Sequence, residues 1–400
     1  MNLGTATTAV GNTYTITSYN VATPTCILDM TGTATVVLNC FDITMSMIYD
    51  NGQGQGLKNT AVSLYNAAHQ LVKTETTDNS GDVTFTDVTS AAGYYVLADL
   101  SGKQHGGINA TDAFLITKDF INTQPLIGLK DRAGDVDGNG VNNANDALQV
   151  ANRFVLNPYV FIQDWLHDND TTNTFDITNA NVSLTSTVLT FGDVNGSYDV
   201  SGLANGTKTN IGIFNEGEVL AEAGANITVP FYTMNKLEAG AISLVISYPY
   251  DVFDIKNVEL GGNIAAQNLQ YTVIDGRIRL TWFNLEPIEL NADEVLINII
   301  GEVHEDLSAA YSWTPTITLG NESELADGNG DVIATVNLTI PTIVLPNQTV
   351  LSFGNAFKQI IYPNPATTNT TLEYNLPSDA TITIELFDVT GKKIKSLMNA

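Results

Sequence analysis

Asp135, Asp137, Asn139, Asn143 and Asp146 place side-chain oxygens at positions 1, 3, 5, 9 and 12 of one short run, with Gly140 at position 6. Calcium is a hard cation that takes six to eight oxygens. A twelve-residue loop delivers them at this spacing, with a backbone carbonyl at position 7 (here that of Val141) and a glycine at 6 for the sharp turn. The run therefore reads as a calcium loop, although an Asx-rich surface turn uses the same residue types. Further on, Asp193, Asn195, Ser197 and Asp199 repeat the front of such a loop at positions 1, 3, 5 and 7. Tyr198 stands there at position 6 and Ala204 at position 12. That stretch is read as a second, partial ion site; the alternative is an Asn-Gly turn.

A helix must follow the first loop, because Ala147, Leu148, Ala151, Phe154 and Val155 form one apolar stripe. Setting Asp112 under Asp146, an offset of 34, aligns Gly106 with Gly140, Asn109 with Asn143, Ala113 with Ala147, Ile116 with Val150 and Phe120 with Phe154. Two such loop-plus-helix units can bury each other's apolar faces. In the upstream copy, positions 1, 3 and 5 fall on Ser101, Lys103 and His105. Lysine does not ligate calcium and histidine ligates it poorly, so this loop is predicted to be empty. Asp112 is then read as a cap for its own helix.

Composition narrows the function classes. Across 400 residues, 43 acidic and 16 basic side chains give a formal net charge of −27. That balance excludes a nucleic-acid face, which must be basic, and suits divalent cations. Abundant Thr, Asn, Ser and Gly with only 15% charged residues points to a secreted, mainly β chain. No apolar run reaches the roughly 18 residues of a membrane span. Met1-Asn-Leu-Gly lacks the charged start of a signal peptide, so the sequence is read as a trimmed chain or a fragment. Cys26 and Cys40 fit either a disulfide closing a short loop or two buried thiols on neighbouring strands.

Strand patterns divide the rest. Residues 1–40 alternate as a β segment, read as a partial domain. Residues 41–100, with Ile43-Thr-Met-Ser-Met, Asp78-Asn-Ser-Gly81, Val83-Thr-Phe85 and Gly93-Tyr-Tyr-Val-Leu97, resemble prealbumin-like β-sandwiches, modules that serve as stalks or spacers. Residues 101–205 hold the loop-plus-helix pair and an irregular extension. With Gly134, Asp135, Asp137, Gly138, Asn139, Gly140, Asn143 and Asp146, the pair resembles a dockerin domain, departing from it at Asn142. That resemblance implies binding to a cohesin domain through the helices, with partner choice at loop positions 10 and 11, Ala144-Asn145 and Ala110-Thr111. Residues 206–347 run strand after strand. Gly224 to Pro230, Ala241 to Tyr248, Asp275 to Trp282, Leu290 to Leu296 and Asp327 to Ile333 resemble a cohesin, implying a jelly-roll sandwich. Residues 348–360 read as a linker. Residues 361–400, with Tyr362-Pro-Asn-Pro365 and Leu386-Phe-Asp-Val-Thr-Gly391-Lys, resemble a type IX secretion sorting domain cut short at Ala400.

The fold class is thus mainly β: several sandwiches, prealbumin-like and cohesin-like, with a small α-helical dockerin-like calcium module. No Gly-x-Ser-x-Gly elbow, His-Glu-x-x-His helix or phosphate loop occurs, so the chain is read as non-catalytic. The expectation is an extracellular or cell-surface scaffold or adhesion protein with Ca2+ as its cofactor. Its partner would be a protein, bound through these modules within the chain or head to tail in a filament. A carbohydrate-binding accessory role is the alternative, with Trp165, Trp282 and Trp313 as platforms, Trp282 being read as core. A passive adhesin stalk is the third reading.

Overall fold

The computed structural model describes residues 28–31, 35–38, 40–156, 161–168, 173–178, 180–200, 211–261, 269–307, 310, 315–346, 358–362, 371–375, 383–387 and 393–399. They fall into two compact units, Met1–Ile343 and Val344–Ala400. No helix among them is long and apolar enough to cross a membrane.

In the first unit, β1 (Leu28–Thr31) and β2 (Thr35–Leu38) form an antiparallel ribbon. Next come β3 (Cys40–Tyr49), β4 (Ala61–Tyr65), β5 (Leu71–Thr76), β6 (Asp82–Thr89) and β7 (Ala91–Asp99). Three helices follow: α1 (Ala110–Phe120), α2 (Leu129–Gly134) and α3 (Ala144–Leu156). The chain then returns to strands with β8 (Trp165–His167), β9 (Phe175–Ile177) and β10 (Val182–Thr190). The sheets β6-β3-β10-β8 and β5-β4-β7-β9 face each other as a first sandwich. Its core follows the period-two pattern of β3, whose Ile43, Met45, Met47 and Tyr49 are all at most 1% exposed. Cys40 is half of a disulfide, whereas Cys26 lies outside the described residues.

The described residues between 161 and 200 are no irregular extension of the helices. β10 pairs in parallel with β3 over Val182–Val188, β8 pairs with β10, and β9 pairs with β7. The helices are therefore an insertion in the first sandwich, held at both ends by its strands. The sequence hid this because a parallel partner lies far away along the chain, and three-residue strands carry too little alternation to read. Insertion and sandwich share one core, in which Leu115, Ile116, Val150 and Ala151 join Phe161, Trp165 and Phe191.

The second sandwich holds β11 (Ile211–Leu220), β12 (Asn226–Thr233), β13 (Leu237–Ser247), β14 (Phe253–Leu260), β15 (Gln270–Ile274), β16 (Arg277–Leu290), β17 (Val295–Val303), β18 (Thr318–Leu319), β19 (Glu324–Ala326) and β20 (Val336–Val344). Its sheets are β11-β20-β12-β17-β14 and β15-β16-β13-β18, with β19 also on β13. Ile242, Leu244, Ile246, Leu280 and Trp282 point inward and are at most 1% exposed. The second unit holds two antiparallel ladders: β21 (Lys358–Tyr362) with β22 (Thr371–Asn375), and β23 (Thr383–Phe387) with β24 (Lys393–Asn399).

Candidate functional site

The contiguous loop brings three of its carboxylates together. One carboxylate oxygen from each of Asp135, Asp137 and Asp146 lies within 4.8 Å of the others. Asp135 Oδ1 accepts the Asn139 N–H at 2.9 Å, and its Oδ2 accepts the Gly140 N–H at 2.8 Å. Asp146, at position 12, accepts the Asp137 N–H on Oδ1 and the Asn143 N–H on Oδ2. It is fully buried, and burial pushes its proton affinity up against the lowering effect of those backbone donors. Gly138, with φ +74°, takes a left-handed conformation that favours glycine. Three converging carboxylates in a loop of donors already satisfied by its own oxygens fit a hard divalent cation. Asn142 fastens the loop to the neighbouring helices, its Nδ2 donating to Asp119 Oδ2 at 2.9 Å and Asp131 Oδ1 at 3.0 Å.

The upstream copy differs from the reading by spacing. Ser101, Lys103 and His105 do not form the front of a loop; Lys103 Nζ instead donates to the Lys58 and Asn59 carbonyls. Asp112 does cap α1, accepting the Asn109 N–H in a capping box. Asp193, Asn195 and Ser197 sit beside it, the Asn195 N–H donating to Asp112 Oδ1 at 3.0 Å. The carbonyl of Gly107 lies by Ser197, accepting from its Oγ at 3.1 Å.

The helices also meet the second sandwich. An antiparallel sheet commonly leaves one face to water, yet β13 is buried without a break from Ala239 to Ile246. Its outward residues, Ala241, Ser243 and Val245, are small enough for helices to approach. Phe114 of α1 packs with Ala241 and Ala326 against Phe283, and Phe154 and Val155 of α3 pack on Val245. Gly240 lies at a register shift of β13, and a side chain there would come within 2.9 Å of the Phe114 ring.

Polar contacts fix the register of this docking. The Ala110 N–H donates to Ser243 Oγ at 2.8 Å, which satisfies a donor that the first turn of α1 leaves free. Glu324 Oε1 accepts from Thr111 Oγ1 at 2.6 Å and Asn109 Nδ2 at 3.1 Å. Arg279 donates to the Phe154 carbonyl, lies over the Phe154 ring at 4.6 Å and pairs with Glu322. Of the two position-10/11 pairs, Ala110-Thr111 is inside the contact, while Ala144 and Asn145 remain exposed. Two of the three candidate sugar platforms are buried: Trp282 at 1% exposure and Trp165 at 7%, packed edge-on to Tyr49 and Tyr198. Trp313 lies outside the described residues.

Comparison with known proteins matches these parts. Residues 104–155 match the family model of the dockerin type I domain, and residues 360–400 that of the secretion system C-terminal sorting domain. The curated proteins give no match. Among solved structures, the chain is similar to a non-cellulosomal cohesin from Archaeoglobus fulgidus (21% identity, 32% of this chain and 87% of that one, TM-score 0.25). It is also similar to a type I cohesin–dockerin complex from Clostridium thermocellum (21%, 32% and 95%, TM-score 0.26). A third is the seventh ScaB type I cohesin from Pseudobacteroides cellulosolvens (14%, 35% and 94%, TM-score 0.26). The chain therefore carries a dockerin-like module and a type IX secretion sorting module. It is extracellular or at the cell surface, and it carries a protein-interaction module.

Proposed function

We propose that this chain is a non-catalytic, calcium-stabilised surface scaffold whose dockerin-like helix pair is held by the cohesin-like sandwich of the same chain. The single observation that carries the reading is the uninterrupted burial of β13, whose outward face is covered by α1 and α3. Calcium held by Asp135, Asp137, Asn139, Asn143, Asp146 and the Val141 carbonyl would fix the start of α3. That in turn sets Phe154 and Val155 against Val245. The ion's role is then structural: the residues around it hold helix geometry and carry out no reaction.

Docking within one chain satisfies the recognition face internally, so it opposes head-to-tail growth. Light scattering over a concentration series, with calcium and with chelator, tests this. A monomer mass at every concentration in calcium is the expected result. Mass that grows with concentration would replace the internal arrangement by the filament.

A further inference from the structure

We propose that residues 193–197 and 107–112, far apart in sequence, together form one split divalent-cation loop, closed over by Glu324 of the second sandwich. Asp193, Asn195 and Ser197 take positions 1, 3 and 5. The Gly107 carbonyl takes position 7, Asn109 position 9 and Asp112 position 12. This rests on the same docked arrangement as the proposed function but assigns a different ion, shared by three segments.

The contiguous loop provides the template. There, the Asn139 N–H donates to Asp135 Oδ1 and Asp137 Oδ1, at 2.9 and 3.1 Å. In the split loop, the Ser197 N–H donates to Asp193 Oδ1 and Asn195 Oδ1, both at 2.9 Å. Gly140 to Asp135 Oδ2 (2.8 Å) has its counterpart in Tyr198 to Asp193 Oδ2 (3.1 Å). The contact that crosses the break matches as well: Asp137 N–H to Asp146 Oδ1 at 3.3 Å, and Asn195 N–H to Asp112 Oδ1 at 3.0 Å across 83 residues of sequence. At the far end, Asn143 N–H to Asp146 Oδ2 (3.0 Å) corresponds to Asn109 N–H to Asp112 Oδ2 (2.9 Å). Gly196 repeats the left-handed turn of Gly138, with φ +73° against +74°.

An independent observation points to a cation. Glu324 is 3% exposed, and its Oε2 has no hydrogen-bond partner; the buried Nδ2 of Asn195 has none either. Asp112 and Asp193 are both 0% exposed, and among the described residues no ion pair reaches any of these three carboxylates. Burying several carboxylates together is costly unless a positive charge joins them. The all-oxygen donor set, with a flexible backbone carbonyl, suits calcium better than magnesium's rigid octahedron.

Such an ion would join the end of the first sandwich (after β10), the start of α1 and, through Glu324, the docked second sandwich. The test is calcium titration of the full chain by calorimetry, on wild type, Asp135→Asn and Asp193→Asn, with circular dichroism as the check on folding. The expected stoichiometry is two ions in wild type and one in each variant. One ion in wild type that is lost in Asp135→Asn and kept in Asp193→Asn would overturn the split loop and leave the contiguous one standing. One ion lost only in Asp193→Asn would do the reverse. Where Asp193→Asn does not fold, Ser197→Ala with hydrogen exchange decides. Calcium should slow exchange in 107–112 and 193–199 together, with weaker binding of one ion in the variant. Protection of one segment without the other, or unchanged binding, overturns the proposal.

Discussion

Phe114→Ala is the sharpest probe of the internal docking. Phe114 is fully buried, and its cluster is Ala110 on its own helix with Ala241 and Ala326 of the second sandwich, closed by the half-buried Phe283. Its helix neighbours Leu115 and Ile116 belong instead to the core shared with the first sandwich. Truncating Phe114 therefore removes packing across the docking surface and little else. Three of its four neighbours are alanines, which have no side-chain freedom with which to fill the space. The loss should fall in the range of about 3–5 kcal/mol seen for a buried Phe→Ala change. Lys118, whose ammonium lies 5.1 Å from the ring centre, also loses that contact. The control is Leu148→Ala on the open face of α3, at 45% exposure, with an expected cost within about 0.5 kcal/mol. Calorimetric unfolding in calcium should show the Met1–Ile343 unit melting as one transition in wild type. In Phe114→Ala the second sandwich should melt apart from the first. If Phe114→Ala costs no more than Leu148→Ala and leaves a single transition, the helices do not hold the sandwich as argued.

The same surface yields further expectations. Ser243→Ala strands the buried Ala110 N–H, and chemical denaturation should show a loss of about 1–3 kcal/mol. Arg279→Lys keeps one charge but cannot donate to the Phe154 carbonyl, pair with Glu322 and stack on the ring together; denaturation should show a clear loss, larger than for Lys236→Arg at an exposed pair. Gly240→Val should lower the protection of α1 amides in hydrogen exchange more than that of β12 amides, because its side chain would meet the Asp327 carbonyl at 2.6 Å as well as Phe114. Stripping calcium should lower the stability of the first unit by about 2.7 kcal/mol per site filled at a hundredfold excess over its dissociation constant. Differential scanning calorimetry with and without chelator reads that directly, and an unchanged transition would argue against a structural ion.

The convergence of Asp135, Asp137 and Asp146 was legible because they sit in one run, where spacing alone fixes geometry. The β-rich fold and the helices themselves were legible for the same local reason: periods of two and 3.6 survive in short windows. The partner of the upstream half-loop was not. Asn109 and Asp112 form a back half with Ser101, Lys103 and His105 as an unusable front, while Asp193, Asn195 and Ser197 form a front whose own position 12 is Ala204. Each defect fits the other, and that complementarity was the available signal. What joins them is the parallel pairing of β10 with β3, a contact decided by tertiary packing. The outward Ala241, Ser243 and Val245 were equally silent: small residues on a strand face look like an exposed face until a helix covers them.

The topology also bears on self-assembly. The helix pair is tied to the first sandwich by β7 on one side and β8 on the other, and the second sandwich follows β10 after a short stretch of chain. Short tethers give docking partners an effective concentration on the order of millimolar. A second copy of this sandwich on another chain at micromolar concentration must then bind about a thousandfold more tightly to displace the internal one, and an identical copy offers the same contacts and no more. Head-to-tail exchange between identical chains thus has no source of free energy at ordinary concentrations, unless strain in the closed form is relieved on opening. The split loop adds to the cost of opening: withdrawing β19 takes Glu324 away from Asn109 and Thr111, beside Asp112. Calcium should accordingly favour the closed chain over the filament, so that chelation, not calcium, is the condition under which exchange between chains becomes measurable.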